Sequence, residues 1–162
     1  MKKLRWSLIV CVVAISGMSA QTLADAIKLT RNEQYESADA IFKKLIQAQP
    51  NNGDLYFYYG ENFFKNENLS MANEMYQTGA DVNPTNALPY VGLGKVLWYK
   101  GKQTEAKASF YKATTLSNNK NATVLLKIAE TYINADKKSL PDAFTLLATA
   151  TKLESKNPEV YL

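Results

Sequence analysis

The sequence contains no histidine, and its only cysteine is Cys11. Without histidine, imidazole base catalysis and histidine metal ligation are excluded. Cys11 lies in an N-terminal segment that we expect to be removed, which excludes a catalytic thiolate, a disulfide and a cysteine zinc site from the remaining chain. A glycine-rich phosphate-binding loop is missing as well. The sequence therefore predicts a protein that is not an enzyme and that takes no cofactor and no metal.

A strong excess of one charge is also missing. The chain has 19 basic and 15 acidic residues, but three of the basic ones fall within residues 1–5, which leaves 16 against 15 from residue 21 onward. A nearly neutral chain gives no reason to expect nucleic acid as a partner. Residues 21–86 carry a net charge of −4 and residues 87–162 one of +5. Either the charged side chains only solvate helix surfaces, or the two ends meet differently charged partners.

The first twenty residues have the three-part composition of a secretory signal peptide. Residues 1–5 are basic, residues 6–18 are apolar or small, and Ser19 and Ala20 offer a cleavage site. The alternative is an uncleaved membrane anchor, but a spanning helix needs about 20 apolar residues. We therefore expect residues 1–20 to be a signal peptide, with no transmembrane segment after cleavage. The protein is then exported, and is periplasmic or secreted.

An internal repeat of about 34 residues runs through the rest of the chain. It is clearest at Ala38, Ala72 and Ala106, which are evenly spaced by one repeat length. Other residues recur at fixed offsets from these alanines: Phe42, Tyr76 and Phe110; Leu29, Phe63 and Leu97; Ala26, Gly60 and Gly94; Pro50, Pro84 and Asn118. A fourth copy has Ala143 in the alanine position, and its second half is displaced by two residues, absorbed at residues 137–139.

Each copy predicts two short helices folded back on each other. Apolar and small residues fall at helical spacing on two segments of the second copy: Tyr56, Tyr59, Gly60 and Phe63, then Ala72, Met75, Tyr76 and Gly79. The polar residues 65–68 separate the two segments. We expect Gly60 and Ala72 to be small because the two helix backbones approach each other there. A helix pair this short cannot bury its own apolar face, so stability must come from stacked neighbours.

The second copy resembles the tetratricopeptide repeat (TPR) family and has its signature residues Tyr56, Tyr59, Gly60, Phe63, Ala72, Tyr76 and Pro84. The resemblance covers residues 19–162 and implies an all-α fold, a right-handed α-solenoid of about four helix-turn-helix units. We divide the array, residues 21–157, into repeats at about 19–52, 53–86, 87–121 and 122–157.

The C-terminal end of the array leads to two alternative expectations. Residues 158–162 read as the start of a further repeat, so we expect a longer natural chain. Solenoids usually end in a helix with a polar outer face, whereas the last helix here carries three apolar or small residues with nothing after it to cover them: Phe144, Leu147 and Ala150. In the other alternative, a partner covers this uncapped end, or the chain self-associates through it.

In TPR proteins the first helix of each pair lines the concave face, which commonly binds an extended peptide or a partner's helix. The resemblance implies that this face consists of Leu23, Ile27 and Arg31; Phe57, Glu61, Phe64 and Lys65; Val91, Lys95, Trp98 and Tyr99; and Leu126, Glu130 and Ile133. Exposed aromatic side chains commonly mark contact sites, and this face would present Phe57, Phe64, Trp98 and Tyr99. The alternative is that these rings pack on each other or on a later helix.

Opposite charges alternate at one concave position, which is occupied by Glu61, Lys95 and Glu130 in successive copies. They form either a ladder of weak, partly exposed ion pairs, each contributing about 0–1 kcal/mol, or polar contacts for a peptide backbone. Some cytosolic TPR proteins clamp a terminal carboxylate with lysines and asparagines at such positions. Because Phe57 and Glu61 stand there instead, the sequence does not support that role.

These patterns predict a non-catalytic scaffold of the periplasm or cell envelope that binds a protein or peptide on its concave face. A different possibility is that the array is the accessory region of a larger enzyme or envelope assembly machine. A third is that its tyrosine and tryptophan side chains bind glycan.

Overall fold

The computed structural model describes residues 22–154, and this part of the chain contains eight α-helices and no strand. The predicted signal peptide and the start of a further repeat lie outside the described residues. In chain order the helices are α1 (Leu23–Arg31), α2 (Tyr35–Ala48), α3 (Gly53–Lys65), α4 (Leu69–Val82), α5 (Ala87–Tyr99), α6 (Gln103–Leu116), α7 (Ala122–Asn134) and α8 (Leu140–Glu154). They form four pairs that stack in sequence order, which makes the described chain an α-solenoid.

The first helix of every pair begins at a side-chain cap. Thr22 and Asp25 form a complete capping box at the start of α1, as expected for a hydroxyl residue three ahead of an acid. Asparagine side chains accept a hydrogen bond from the first turn of the other three helices, at Asn52, Asn86 and Asn121. Each cap satisfies a backbone donor that the helix itself leaves unpaired.

The turn inside each of the first three pairs has three residues, and its middle residue has a left-handed backbone. Glu33, Glu67 and Gly101 have φ angles of 60°, 58° and 76°, and they hold the same position in successive repeats. The fourth pair is joined by five residues, 135–139, and this connection contains the two-residue displacement read from the sequence. A tight left-handed turn thus folds the second helix back on the first.

The core follows the repeat. Ala38, Ala72 and Ala106 are completely buried, and Ala143 is 1% exposed. At Gly60 the missing side chain leaves room for a ring of the second helix. A Cβ atom on Gly60 would lie 2.3 Å from Cε1 of Tyr76.

Gly92 of the next repeat also approaches this ring, since an added Cβ atom there would lie 2.2 Å from Cδ1 of Tyr76. Two glycines therefore form the slot that holds one buried tyrosine between adjacent repeats.

Consecutive repeats are also joined by a recurring hydrogen bond. The Tyr56 hydroxyl donates to the Pro50 carbonyl at 3.0 Å, and the Tyr90 hydroxyl donates to the Pro84 carbonyl at 3.2 Å. Both prolines lie between helix pairs, where the missing backbone donor has little cost. The tyrosine of each repeat thus fixes the connection that precedes it.

The last described helix departs from the sequence expectation at one of three positions. Phe144 is 67% exposed and Leu147 is half-buried, but Ala150 is completely buried. Ala150 was therefore wrongly counted as uncovered; it continues the buried row of small residues that includes Gly79 and Ala113. None of the described helices is long and apolar enough to cross a membrane.

Candidate functional site

The first helices of the four pairs form one wall, and a cavity of about 310 Å³ opens along it. Side chains of α1, α3 and α7 line this cavity: Ile27, Thr30, Arg31, Tyr58, Glu61, Lys65, Thr123, Leu126, Lys127 and Glu130. Because the first and the fourth repeats both contribute, the wall must curve so that α1 and α7 face each other. The described chain is therefore concave on this side.

A second cavity of about 460 Å³ adjoins the first one and extends over α5. Its lining is Arg31, Glu61, Phe64, Lys65, Lys95, Tyr99, Lys127, Glu130 and Asn134, of which five residues also line the first cavity. We refer to the residues of both cavities together as the concave groove. The lining contains both aromatic and charged side chains, which suits recognition of another polypeptide.

Glu61 and Lys95 form an ion pair in the floor of the groove. The Nζ atom of Lys95 lies 2.8 Å from Oε1 and 2.9 Å from Oε2 of Glu61, and the Tyr76 hydroxyl donates to Oε1 at 2.6 Å. The side chains of Lys95 and Glu61 are 15% and 9% exposed. Burial raises the pKa of Glu61, but the charge of Lys95 and these hydrogen bonds outweigh it, so that this pKa lies below its ordinary range.

The third member of the alternating row makes a different contact. Glu130 pairs with Lys127 on its own helix, at 2.7 Å, and this carboxylate is half exposed. The alternation therefore forms one buried inter-repeat pair and one local pair, not a continuous ladder. Weak, largely exposed pairing was wrong for Glu61 and Lys95, because stacking of α3 on α5 leaves their side chains only 9% and 15% exposed.

Two further cations in the groove are not neutralised in this way. Arg31 and Lys65 are the last residues of α1 and α3, and neither forms an ion pair with any residue between 22 and 154. They are one repeat length apart and hold equivalent positions in adjacent repeats. The groove lining thus contains four cations and two carboxylates.

Three of the predicted concave residues are in the core and cannot contact a partner directly. Phe57 is completely buried, Val91 is 1% exposed and Trp98 is 4% exposed. The indole Nε1 of Trp98 donates to the Lys137 carbonyl at 2.9 Å, and its ring packs edge-on against Tyr132 at 4.7 Å. For Phe57 and Trp98, the expectation of an exposed aromatic face is wrong, since helix stacking uses these rings.

Phe64 and Tyr99 remain in the groove as an aromatic pair. Their ring centroids are 4.9 Å apart in an edge-on arrangement, and Tyr99 is 40% exposed. The Nζ atom of Lys95 lies 3.9 Å from the centroid of the Phe64 ring. The pKa of Tyr99 is raised, first by burial and then by the charges of Asp136 and Glu61. Its hydroxyl is therefore a neutral hydrogen-bonding group at physiological pH.

The structure places the other predicted residues at or near the groove surface. Lys65 and Glu130 are exposed, and Leu126 is half-buried; all three line a cavity. Ile133 is half-buried but lines neither cavity, because its side chain packs against the core. Their role in binding stays a prediction.

Sequence reasoning missed five groove residues: Thr30, Tyr58, Thr123, Lys127 and Asn134. Asn134 occupies the position of Arg31, Lys65 and Tyr99 in the fourth repeat, so extending the repeat comparison by one more copy could have found it. Lys127 follows Leu126 on α7 and faces the groove only because the array curves toward α1.

No set of three potential metal-ligating side chains comes together within residues 22–154.

Comparison with known proteins agrees with this architecture. The family model for the tetratricopeptide repeat matches residues 88–120. The crystal structure of TTC0263, a thermophilic TPR protein in Thermus thermophilus, is similar with a TM-score of 0.63 and 20% identity, over 85% of this chain and 74% of that one. The crystal structure of MamA protein is similar with a TM-score of 0.50 and 18% identity, over 86% and 76%.

No curated protein sequence matches the chain significantly. The solved structures therefore show the fold, and the family model identifies one of its repeats. The matched residues 88–120 comprise the third helix pair, and the four stacked helix pairs together have the fold of solved tetratricopeptide repeat proteins.

Proposed function

We propose that this chain is a non-catalytic scaffold that binds a peptide or a helix of a partner protein in the concave groove. The observation that carries the proposal is the Phe64–Tyr99 pair, whose rings stand in an open groove and leave Tyr99 40% exposed. Aromatic side chains that project from a rigid wall are typical anchors at protein interfaces. Proteins with this fold generally act as interaction scaffolds, which agrees with the proposal.

The rest of the groove supplies the other elements of an interface. Half-buried Ile27 and Leu126 offer apolar contact at the first cavity, while the charged side chains surround it. An apolar centre with a polar rim is the common arrangement of protein interfaces. The two cavities run over all four repeats, so an elongated ligand such as a peptide fits this surface better than a compact small molecule.

The proposal can be tested by selecting ligands from a displayed library of random twelve-residue peptides on the immobilised protein. The double variant Phe64→Ala/Tyr99→Ala should reduce the affinity of enriched peptides at least tenfold. The matched control is Tyr111→Ala, which removes a 74% exposed ring from α6, outside the groove. Failure to enrich any peptide, or equal losses in the two variants, would refute peptide binding in the groove.

We also propose that the protein acts outside the cytoplasm, as a periplasmic or secreted protein. Support comes from the basic, apolar and small segments of residues 1–20. Intact mass measurement of the protein isolated from its host should show a chain that begins near Gln21. A mass that includes residues 1–20 would overturn cleavage.

A further inference from the structure

We infer that the groove selects an acidic peptide segment, whose side-chain carboxylates bind Arg31 and Lys65. This inference rests on the proposed function and names the chemistry of the occupant. It begins from the charge of the groove, where four cations stand against two carboxylates. Residues 22–154 as a whole contain 15 basic and 14 acidic residues, so the excess positive charge is concentrated on this face.

The excess lies specifically at Arg31 and Lys65. The other two cations of the groove each have a carboxylate within 3 Å, Lys95 from Glu61 and Lys127 from Glu130. Both Glu61 oxygens are already engaged by Lys95. The groove thus holds two neutralised pairs and two cations that remain available to a ligand.

The nearest acidic residues along the chain do not neutralise these two cations. Glu33 and Glu67 follow Arg31 and Lys65 by two residues, but neither lines a cavity and neither forms an ion pair in the described chain. Glu33 and Glu67 lie in the left-handed turns that lead to the second helices, and their charges help to raise the pKa of Tyr35 of α2. At the other end of the groove, Asp136 acts on Tyr99. The positively charged end of the concave groove is therefore the one formed by α1 and α3.

Arg31 and Lys65 are also spaced as a ligand site requires. They are equivalent residues on adjacent parallel helices, and packed helices are about 8–10 Å apart. A peptide in the polyproline II conformation advances about 3.1 Å per residue and has three residues per turn, so two carboxylates three residues apart would lie on one face and meet both cations. Further along the groove the same peptide would meet the Phe64–Tyr99 pair, which favours an aromatic or aliphatic residue there. The inferred occupant is thus an acidic segment that also carries an apolar residue.

The peptide library described above tests this inference directly. Peptides enriched on the wild-type protein should carry net negative charge, with acidic residues about three positions apart. Resynthesised with capped ends and with glutamine for each glutamate and asparagine for each aspartate, they should bind at least tenfold more weakly. Capping matters because it removes the terminal carboxylate, so that binding reports on side chains alone.

Charge reversal of the site provides the second arm. Arg31→Glu/Lys65→Glu should weaken an enriched acidic peptide at least tenfold, whereas Lys102→Glu/Lys120→Glu makes the same charge change at exposed positions outside the groove and should have less than a threefold effect. Added salt should also lower the affinity of the wild-type protein for the acidic peptide.

Three outcomes would overturn the inference: enrichment of neutral or basic peptides, equal binding of the amide-substituted peptides, or equal effects of the two charge-reversed variants. In each of them the proposed function stands if Phe64→Ala/Tyr99→Ala still weakens binding at least tenfold. If no peptide is enriched, the proposed function and this inference fail together.

Discussion

Lys95 of α5 binds both carboxylate oxygens of Glu61 of α3, at 2.8 and 2.9 Å, beneath the open face of the groove. The pair joins the second repeat to the third, and Tyr76 from α4 completes it. A charged network in this place has two consequences: it locks two repeats in register, and it withdraws one cation and one anion of the groove from ligand binding.

Removing one member of this pair should destabilise the fold. Lys95→Met leaves a buried carboxylate without its cation, which typically costs about 3–5 kcal/mol. Urea denaturation followed by circular dichroism measures the change. Lys43→Met is the control, because its pair with Asp39 is solvent-exposed and should contribute less than about 1 kcal/mol. Similar losses in the two variants would contradict a structural role for the Glu61–Lys95 pair.

Acid should affect the wild type and Lys95→Met in opposite ways at Glu61. In the wild type the pKa of Glu61 is depressed on folding, so its contribution to stability is present above the ordinary glutamate value of about 4.3 and is lost as the pH falls below that value. In the variant, burial is the main remaining influence and raises this pKa, so protonation relieves the buried charge. The stability difference between the two proteins should shrink from pH 7 to pH 5. A constant difference would contradict this assignment.

Trp98 and Tyr99 are neighbours in sequence but should respond differently to truncation. Trp98→Ala removes a buried ring and its hydrogen bond to Lys137, which should cost about 3–5 kcal/mol of unfolding free energy. Tyr99→Ala should cost less than half as much, because 40% of Tyr99 is exposed. Thermal denaturation monitored at 222 nm distinguishes them. Equal losses would argue that both rings belong to the core.

The left-handed turns offer a way to stabilise the array. Glu67→Gly should raise the unfolding free energy by about 1 kcal/mol, because a residue with a Cβ atom is strained at a φ of 58°. Gly101→Glu places the same residue type in the equivalent turn of the next repeat and should lower it by a similar amount. Glu74→Gly, within α4, is the control and should destabilise by about 1 kcal/mol. If Glu67→Gly destabilises the protein, strain in this turn is refuted.

The slot around Tyr76 should tolerate no added methyl group. Gly92→Ala improves helix propensity by about 1 kcal/mol, yet its Cβ atom would lie 2.2 Å from the Tyr76 ring, so we expect a net loss of about 1–3 kcal/mol. In a Tyr76→Ala background the same change should become neutral or favourable, because the ring that it meets is gone. A double-mutant cycle by chemical denaturation measures this coupling. No coupling would contradict the close approach.

The periodicity of the sequence was enough to predict the helices and the core. Ala38, Ala72 and Ala106 sit at equivalent positions because only a small residue fits where paired helices meet, and all three are completely buried. Pro50 and Pro84, which recur at the repeat spacing, lie between helix pairs. These features depend on contacts within one repeat or between two adjacent repeats. Comparing residues that are one repeat length apart is therefore enough to predict them.

The groove was less predictable because it depends on the path of the whole array. Trp98 is buried through the connection between α7 and α8, where residues 137–139 interrupt the repeat. Lys127 reaches the groove because the array curves so that α7 faces α1. Neither relation is encoded by spacing within a repeat, so the sequence could indicate the lining helices but not which side chains remain accessible on them.

The most direct test of partner binding in the groove is site-specific photo-crosslinking in the host cell. A benzoylphenylalanine at position 99 stands in the groove, and one at position 111 stands on the exposed outer side of α6. Position 99 should give a discrete protein adduct that position 111 does not give, and Arg31→Glu/Lys65→Glu should diminish it. The same adduct from both positions, or an adduct from position 111 alone, would contradict binding in the concave groove.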